Sequence, residues 1–518
     1  MKNISKYILT SILVIAIFSS CDEGFDELNT DPVRLTSIDP TFQLNRAIIN
    51  AAPGYGNFTY ETTIVRQMIT PFIGVGTGGN LNQDNRSATA ENWNQGYDTG
   101  IKNLVDGVAA LEEAIANGAN KTNLLSMLRI WKAYEFMILT DTYGEIPYSQ
   151  AAKGYLEGIA FPEYDMQETI YDDILNELSD ASAALNTSGD AVNQEIMYVA
   201  VGDVVTRWKR LGYSLLLRAA MRLSKVNQTK AQQFIATAVA GGLMQSNDDN
   251  AIVRHDPNFR NSLGTNLNGG QAGFYYIDKE FMDWMQANND PRLPVIATRY
   301  IGAATKGDQV PGTGSSDPAD QIGMPQGFDN TTIPTQVTAD GLASLYDYSE
   351  MDRLRLGAPE APNFLVTYSQ TMLLYAEAIL RGWTTGDADA AYEAGIRAHM
   401  EQLEMYPGNT TVAESDIADY IAAHPLTGTQ EEQIEQINEQ YWMSSFLNGH
   451  EAWANFRRSG YPVVAPNPHP ASELVNEDFI RRLTYPDSEL TVNRDNLNVA
   501  VGRQGPDNLE TRVWWDTP

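Results

Sequence analysis

Over much of this chain, apolar residues recur at intervals of three and four, the period of a helix with one buried face. In 165–185, Ile170, Ile174, Leu178, Ala181 and Leu185 form such a stripe while acidic residues occupy the other face, which predicts an amphipathic helix. Over 362–381, Leu365, Tyr368, Met372, Tyr375 and Ile379 repeat the pattern, with Pro362 placed to open the helix and Gly382 to close it. A partner helix is predicted over 387–402 after a short glycine-containing turn, and another over 430–447. Residues 124–140 and 203–224 are apolar nearly all round, which places them deep inside the fold. Helices joined by short turns into pairs of about 34 residues predict a tetratricopeptide-like stack. No run of strands stands out.

Two long segments interrupt this pattern. Residues 53–94 carry Gly54, Gly56, Gly74, Gly76, Gly78 and Gly79 among many Asn, and 250–361 are dense in Gly, Pro, Asn and Asp. Loops of this length inside a compact domain are usually functional or disordered. Trp93, Phe274, Tyr275 and Tyr276 lie in them and argue for order. The expected fold class is mostly α: tetratricopeptide-like helix pairs forming a superhelical scaffold, with long irregular ligand-binding loops.

The N-terminus follows another pattern. Lys2 and Lys6 precede an apolar run from Ile8 to Phe18, broken by Thr10 and Ser11, then Ser19, Ser20 and Cys21. That run is shorter than the roughly 20 residues a membrane span needs, so it reads as an export signal over 1–20. Cys21 is the single cysteine, which excludes an intramolecular disulfide. A cysteine directly after small residues resembles a lipobox, with Phe18 where a leucine is usual, and implies lipidation at Cys21. Acyl chains then hold the protein on a bilayer at about 0.8 kcal/mol per buried CH2.

Lys and Arg number 35 against 66 Asp and Glu, a formal charge of −31 that disfavours nucleic acid and anionic lipid headgroups. Signatures of catalysis are missing. GVGTGG at 74–79 fits a dinucleotide-binding glycine pattern in form alone, because NLNQDNRS follows it with no strand–helix context. No G-x-S-x-G, H-E-x-x-H, Walker A or EF-hand loop is present, and the five His are scattered without ligand spacing. Neither enzyme activity, a cofactor nor a metal is expected. A glycosidase-type carboxylate pair among so many acids stays open as a lesser alternative.

Several blocks, YGEIPYSQA (143–151), FPEYDMQETIYDDILNEL (161–178), GDVVTRWKRLGYSLLLRAAMRLS (202–224), LLYAEAILRGW (373–383), NGHEAWANFRRSGYP (448–462) and RRLTYPDSELTVN (481–493), resemble hallmarks of the SusD/RagB family of nutrient-binding outer-membrane lipoproteins. The acids after Cys21 resemble the export signal that sends such lipoproteins to the cell surface. The resemblance implies four tetratricopeptide-like helix pairs, and a partnership with a TonB-dependent transporter of the SusC type, to which an oligosaccharide or, in the RagB type, a peptide is delivered. It divides the chain into a signal peptide (1–20), a lipidated tether (21–45) and one SusD-like helical domain (46–518). The blocks themselves read as fold markers: LLYAEA to pack Ala376 and Ala378 between helices, RRLTYP to fix the C-terminal segment.

A neutral sugar offers hydroxyl edges and apolar C–H faces, so its site needs aromatic rings beside amides, carboxylates or guanidinium groups. Two loop clusters have that mixture: Asn80, Asn82, Asp84, Arg86 and Trp93, and Asn266, Asn268, Gln271, Phe274, Tyr275 and Tyr276. From them Asn82, Arg86, Trp93, Tyr275 and Tyr276 are the candidate ligand contacts. Trp93 and Tyr97, four apart at an expected helix start, also fit core packing. Tyr275 and Tyr276 are neighbours, so in an extended loop they face opposite ways and at most one meets the ligand.

Overall fold

Helix Thr122–Tyr143 lies at the centre of the scaffold, and its composition explains the position. Leu128, Ile130, Trp131, Phe136 and Leu139 point to different sides of it, and all are buried. It packs on Lys102–Ala116, Gln167–Ala184 and Val204–Arg222. The crossing of the last two is close. A Cβ on Gly212 would stand 2.0 Å from Ser182 Oγ and 2.9 Å from Ile130 Cδ1, so glycine is what admits the neighbouring helices.

Four helix pairs form the stack: Pro40–Asn50 with Lys102–Ala116, Thr122–Tyr143 with Gln167–Ala184, Val204–Arg222 with Gln228–Gly241, and Tyr368–Leu380 with Ala388–Gln402. Gly395 lets the last pair approach, since a Cβ there would meet Leu373 at 2.7 Å, while Ala376 and Ala378 are both at 0% exposure. Helix Gln430–Ser444 packs on Tyr368–Leu380 and is followed by Gly449–Ser459. Side chains set several starts: Thr367 and Gln370 cap one helix reciprocally, and Thr429 and Glu432 another.

The computed structural model describes residues 38–53, 60–73 and 78–518, and Cys21 and the 1–20 signal lie outside them. Pro40–Pro518 form one compact unit. Its first helix buries Leu44, Ala47 and Ile48, the leucine and isoleucine each stabilising by about 1.5–3 kcal/mol. This helix runs from Pro40 to Asn50. No helix of the described residues is long and apolar enough to cross a membrane.

Pro362 does not open a helix. Asn363–Val366 instead form a strand paired antiparallel with Ala251–Val253, and the helix starts after the Thr367 cap. Three further two-stranded pairs exist among the described residues: Met68–Ile69 with Tyr276–Ile277, Ile146–Pro147 with Tyr164–Asp165, and Ala297–Thr298 with Glu350–Met351. Strands of two residues carry no readable alternation, which is why none was visible in the pattern of the chain.

The family-like blocks meet in the interior. Glu451 accepts from Arg222 Nη2 at 2.8 Å and lies 3.2 Å from Arg218 Nη1, while Arg222 Nε donates to Asp141 at 3.2 Å. Arg482 donates to the carbonyls of Tyr143 (3.1 Å) and Pro506 (3.0 Å), fastening the C-terminal segment to the central helix.

Candidate functional site

The candidate ligand contacts lie against the scaffold. Trp93 is 5% exposed, its ring 4.8 Å from Tyr97, 5.2 Å from Tyr143 and 5.6 Å from Tyr485, because its helix, Arg86–Gln95, lays that face on the core. Tyr275 and Tyr276 do face opposite ways, but both sides are interior. Tyr275 joins the main core, and Tyr276 packs in a satellite cluster with Ile69, Met324 and Tyr348. Tyr276 Oη donates to the Gly273 carbonyl at 2.9 Å. Asn82 is buried, with φ 51° and its carbonyl accepting from Glu473 N at 3.0 Å. Arg86 donates to the Tyr485 carbonyl (2.8 Å) and Asp507 (2.9 Å), a clamp on the C-terminal segment. Asn82, Trp93, Tyr275 and Tyr276 are thus buried and Arg86 is half-buried, because the loops fold back on the scaffold.

The two loop clusters nevertheless meet. Pairing of Met68–Ile69 with Tyr276–Ile277 sets Phe72 beside Phe274, ring centroids 4.6 Å apart and inclined at 32°. Both rings are half-buried, and Ile73 next to them is exposed. Asn80, itself buried, holds the Phe72 segment: its Nδ2 donates to the carbonyls of Thr70 (3.1 Å) and Phe72 (3.2 Å). On the other loop Gly273 has φ 70°, and a Cβ there would meet Gln309 Oε1 at 2.5 Å. The Lys306 ammonium stands 5.4 Å from the Phe274 centroid, a cation over the negative face of the ring. The result is an aromatic platform with a cation and the half-buried Gln271 and Tyr346 in the same loop layer. Phe72 and Lys306 were missed in the sequence because nothing local marks them; Phe72 follows Pro71 at the edge of a glycine-rich run, an aromatic where loop chemistry does not ask for one.

Buried ion pairs stiffen this layer from below. Arg66 Nε lies 3.1 Å from Asp278, and Arg353 Nε donates to Glu350 at 2.6 Å. Burial pushes Asp278 up to about 6 and Glu350 up to about 7, with the neighbouring Arg pulling each down. At 0% and 2% exposure neither carboxyl reaches the open surface, so these two perturbed acids are placed for structure and not for proton transfer to a bound substrate. Among the described residues no group of three or more His, Cys, Asp and Glu is placed to hold a metal.

Trp93 also edges a cavity of about 260 Å³ with Tyr97, Pro147, Pro162 and Glu489. A larger one, about 470 Å³, lies over the Phe136–Tyr148 ring pair between the helices.

A family model described as SusD-like, "Starch-binding associating with outer membrane", matches residues 32–486. This chain belongs to the SusD-like family. Solved SusD-like relatives agree across nearly the whole chain. A chitin-binding protein is 28% identical with a TM-score of 0.79, covering 93% of this chain and 100% of its own. A SusD-like protein of Bacteroidetes AC2a is 26% identical, TM-score 0.79, with the same two coverages. A chitin-binding SusD homolog from Flavobacterium johnsoniae, 23% identical with a TM-score of 0.73, covers 92% of this chain and 98% of its own and supports the fold. No curated protein matches. The SusD-like fold accounts for the helix pairs.

Proposed function

We propose that this SusD-like protein is a cell-surface lipoprotein, anchored through Cys21, that captures an oligosaccharide on the Phe72–Phe274 platform and delivers it to a TonB-dependent, SusC-like outer-membrane transporter. The observation that carries the reading is the ring pair itself: two half-buried aromatics from loops far apart in sequence, held side by side by a strand pair and an amide clamp. Such rings offer stacking area to a sugar's C–H face at little cost in ordering. The starch-binding description of the family and the chitin binding of the relative that is 28% identical favour a glycan. Catalysis has no support in the site, and the protein acts by binding.

Titration of the secreted Cys21→Ala chain with maltohexaose and chitohexaose tests this. One of them should bind, and Phe274→Ala should weaken it at least about tenfold, an anchor residue being worth about 2 kcal/mol or more, with melting unchanged. Binding of peptides but of neither glycan would transfer the reading to the RagB type, and cleavage of the glycan to a hydrolase. The anchor has its own test. Wild type should incorporate labelled palmitate and stay with the membrane, whereas Cys21→Ala should do neither. Mild detergent should recover the wild type with a large outer-membrane barrel, in a complex burying more than the roughly 1,600 Å² of a standard interface.

A further inference from the structure

A cavity of about 350 Å³ lies where Asn288, Asn289 and Pro291 face helix Glu414–Ala423 and its cap His424. It shares no residue with the Phe72–Phe274 platform. Its volume falls in the range of about 300–1,000 Å³ typical of small-ligand sites. The His424 imidazole stacks on Tyr420 with centroids 4.1 Å apart at 27°. Tyr420 is fixed beneath it: Gln440 Nε2 donates to its hydroxyl at 2.9 Å, and the Arg292 guanidinium lies 5.5 Å from its ring centroid.

The polar groups around this ring are acceptors. His424 Nδ1 lies 2.8 Å from the Tyr420 carbonyl, and a carbonyl can only accept, so Nδ1 carries a hydrogen and Nε2 is the ring nitrogen left for a ligand. Asn288 Nδ2 donates to the Trp284 carbonyl at 2.8 Å, which leaves its Oδ1 as the outward acceptor. Asp416 and Asp419, three apart on one helix face, are both exposed, and neither pairs with a Lys or Arg among the described residues. Ala423, four beyond Asp419, keeps the wall low. Asn289 holds a left-handed backbone, φ 49°, at the opposite rim. A flat ring face bordered by acceptors fits a ligand that is rich in hydroxyl donors and has an apolar face.

We propose that this cavity is a second, separate saccharide-binding site, taking one neutral sugar unit with a ring face on His424 and hydroxyls on Asp416, Asp419 and Asn288. It goes beyond the platform reading, and the two fail independently. Nutrient glycans are polymeric, so a second contact on the same chain raises the effective concentration of the first.

The test uses the full chain with 13Cε1-labelled histidine. The His424 signal is identified by its loss in His424→Gln, then followed during titration with tetraoses of chitin, starch, cellulose and mannan. At least one sugar should shift it saturably, in wild type and in Phe274→Ala alike, and Asp419→Ala should weaken that binding at least about tenfold, the loss of a charged hydrogen-bond partner. The proposal is overturned if no tetraose shifts the signal, if the shift does not saturate, if Asp419→Ala leaves it unchanged, or if calcium chloride shifts it while the sugars do not. A saturable His424 shift beside unchanged glycan affinity in Phe274→Ala would instead sink the platform and leave this site standing.

Discussion

Arg458 and Glu377 form a two-toothed ion pair, Nη1 to Oε1 at 2.8 Å and Nη2 to Oε2 at 2.7 Å, with side-chain exposures of 1% and 0%. One residue belongs to the NGHEAWANFRRSGYP block and the other to LLYAEAILRGW, so the contact joins two family-like segments. Asn438 and Asn455 complete it, each amide oxygen accepting from Arg458.

Removing the Glu377 charge strands Arg458 in the interior, and removing Arg458 leaves Glu377 with the partly exposed Arg381, 2.8 Å away, as its remaining cation. Glu377→Gln or Arg458→Met should therefore destabilise the fold by about 3–5 kcal/mol, measured by denaturant unfolding, and the double variant should recover much of that loss. Arg458, with Arg381 beside it, outweighs burial and holds the Glu377 carboxyl down at about 2, against 4.5 ordinarily. Its contribution is then complete above about pH 4.5 and is lost as pH falls toward 2. A melting curve of wild type as flat in acid as that of Glu377→Gln would contradict this.

Glu135 is the opposite case. It is buried in the central helix, and burial pushes its carboxyl up to about 8 from 4.5. The folded state holds this proton more tightly than the unfolded one, so the contribution of Glu135 to stability is greatest below about pH 4.5 and declines as pH rises toward 8. Glu135→Gln should melt higher than wild type at pH 8 and about equally at pH 4. A variant that melts lower at both would show that the carboxylate is used.

Trp93, Tyr275 and Tyr276 are expected to act on stability. Trp93→Ala and Tyr276→Ala should each cost about 3–5 kcal/mol in unfolding free energy. Phe274→Ala, with its ring half open to solvent, should cost less than either. Equal losses for all three would remove the distinction between platform and core.

The helical scaffold was readable in the chain because burial repeats every three to four residues there. Ile170, Ile174 and Leu178 announce their helix, and the structure places it at Gln167–Ala184. The stretch after Pro362 misled for a physical reason. Leu365 fits a helical stripe, yet Asn363–Val366 finds its hydrogen bonds in Ala251–Val253, a partner no local pattern reveals. The same non-locality hid the platform. Tyr275 and Tyr276 look like sugar-binding aromatics in a loop, and only the fold shows that Ile69 and Tyr348 close over Tyr276 while Phe274 stays half open. Arg86 reads as a loop cation until Asp507, from the other end of the chain, is seen against it.

The two-residue bridge between Met68–Ile69 and Tyr276–Ile277 has a consequence in time. It ties together segments some two hundred positions apart, and closing so long a loop for so few hydrogen bonds is favourable only after the helices have brought the ends close. The recognition surface should accordingly be the last part of the molecule to assemble and the first to open. Amide hydrogen exchange measured on the native protein would show Ile69 and Asp278, whose N–H donates to the Gln67 carbonyl at 3.1 Å, exchanging through a low-energy opening, while Leu215 and Leu216 in Val204–Arg222 await global unfolding.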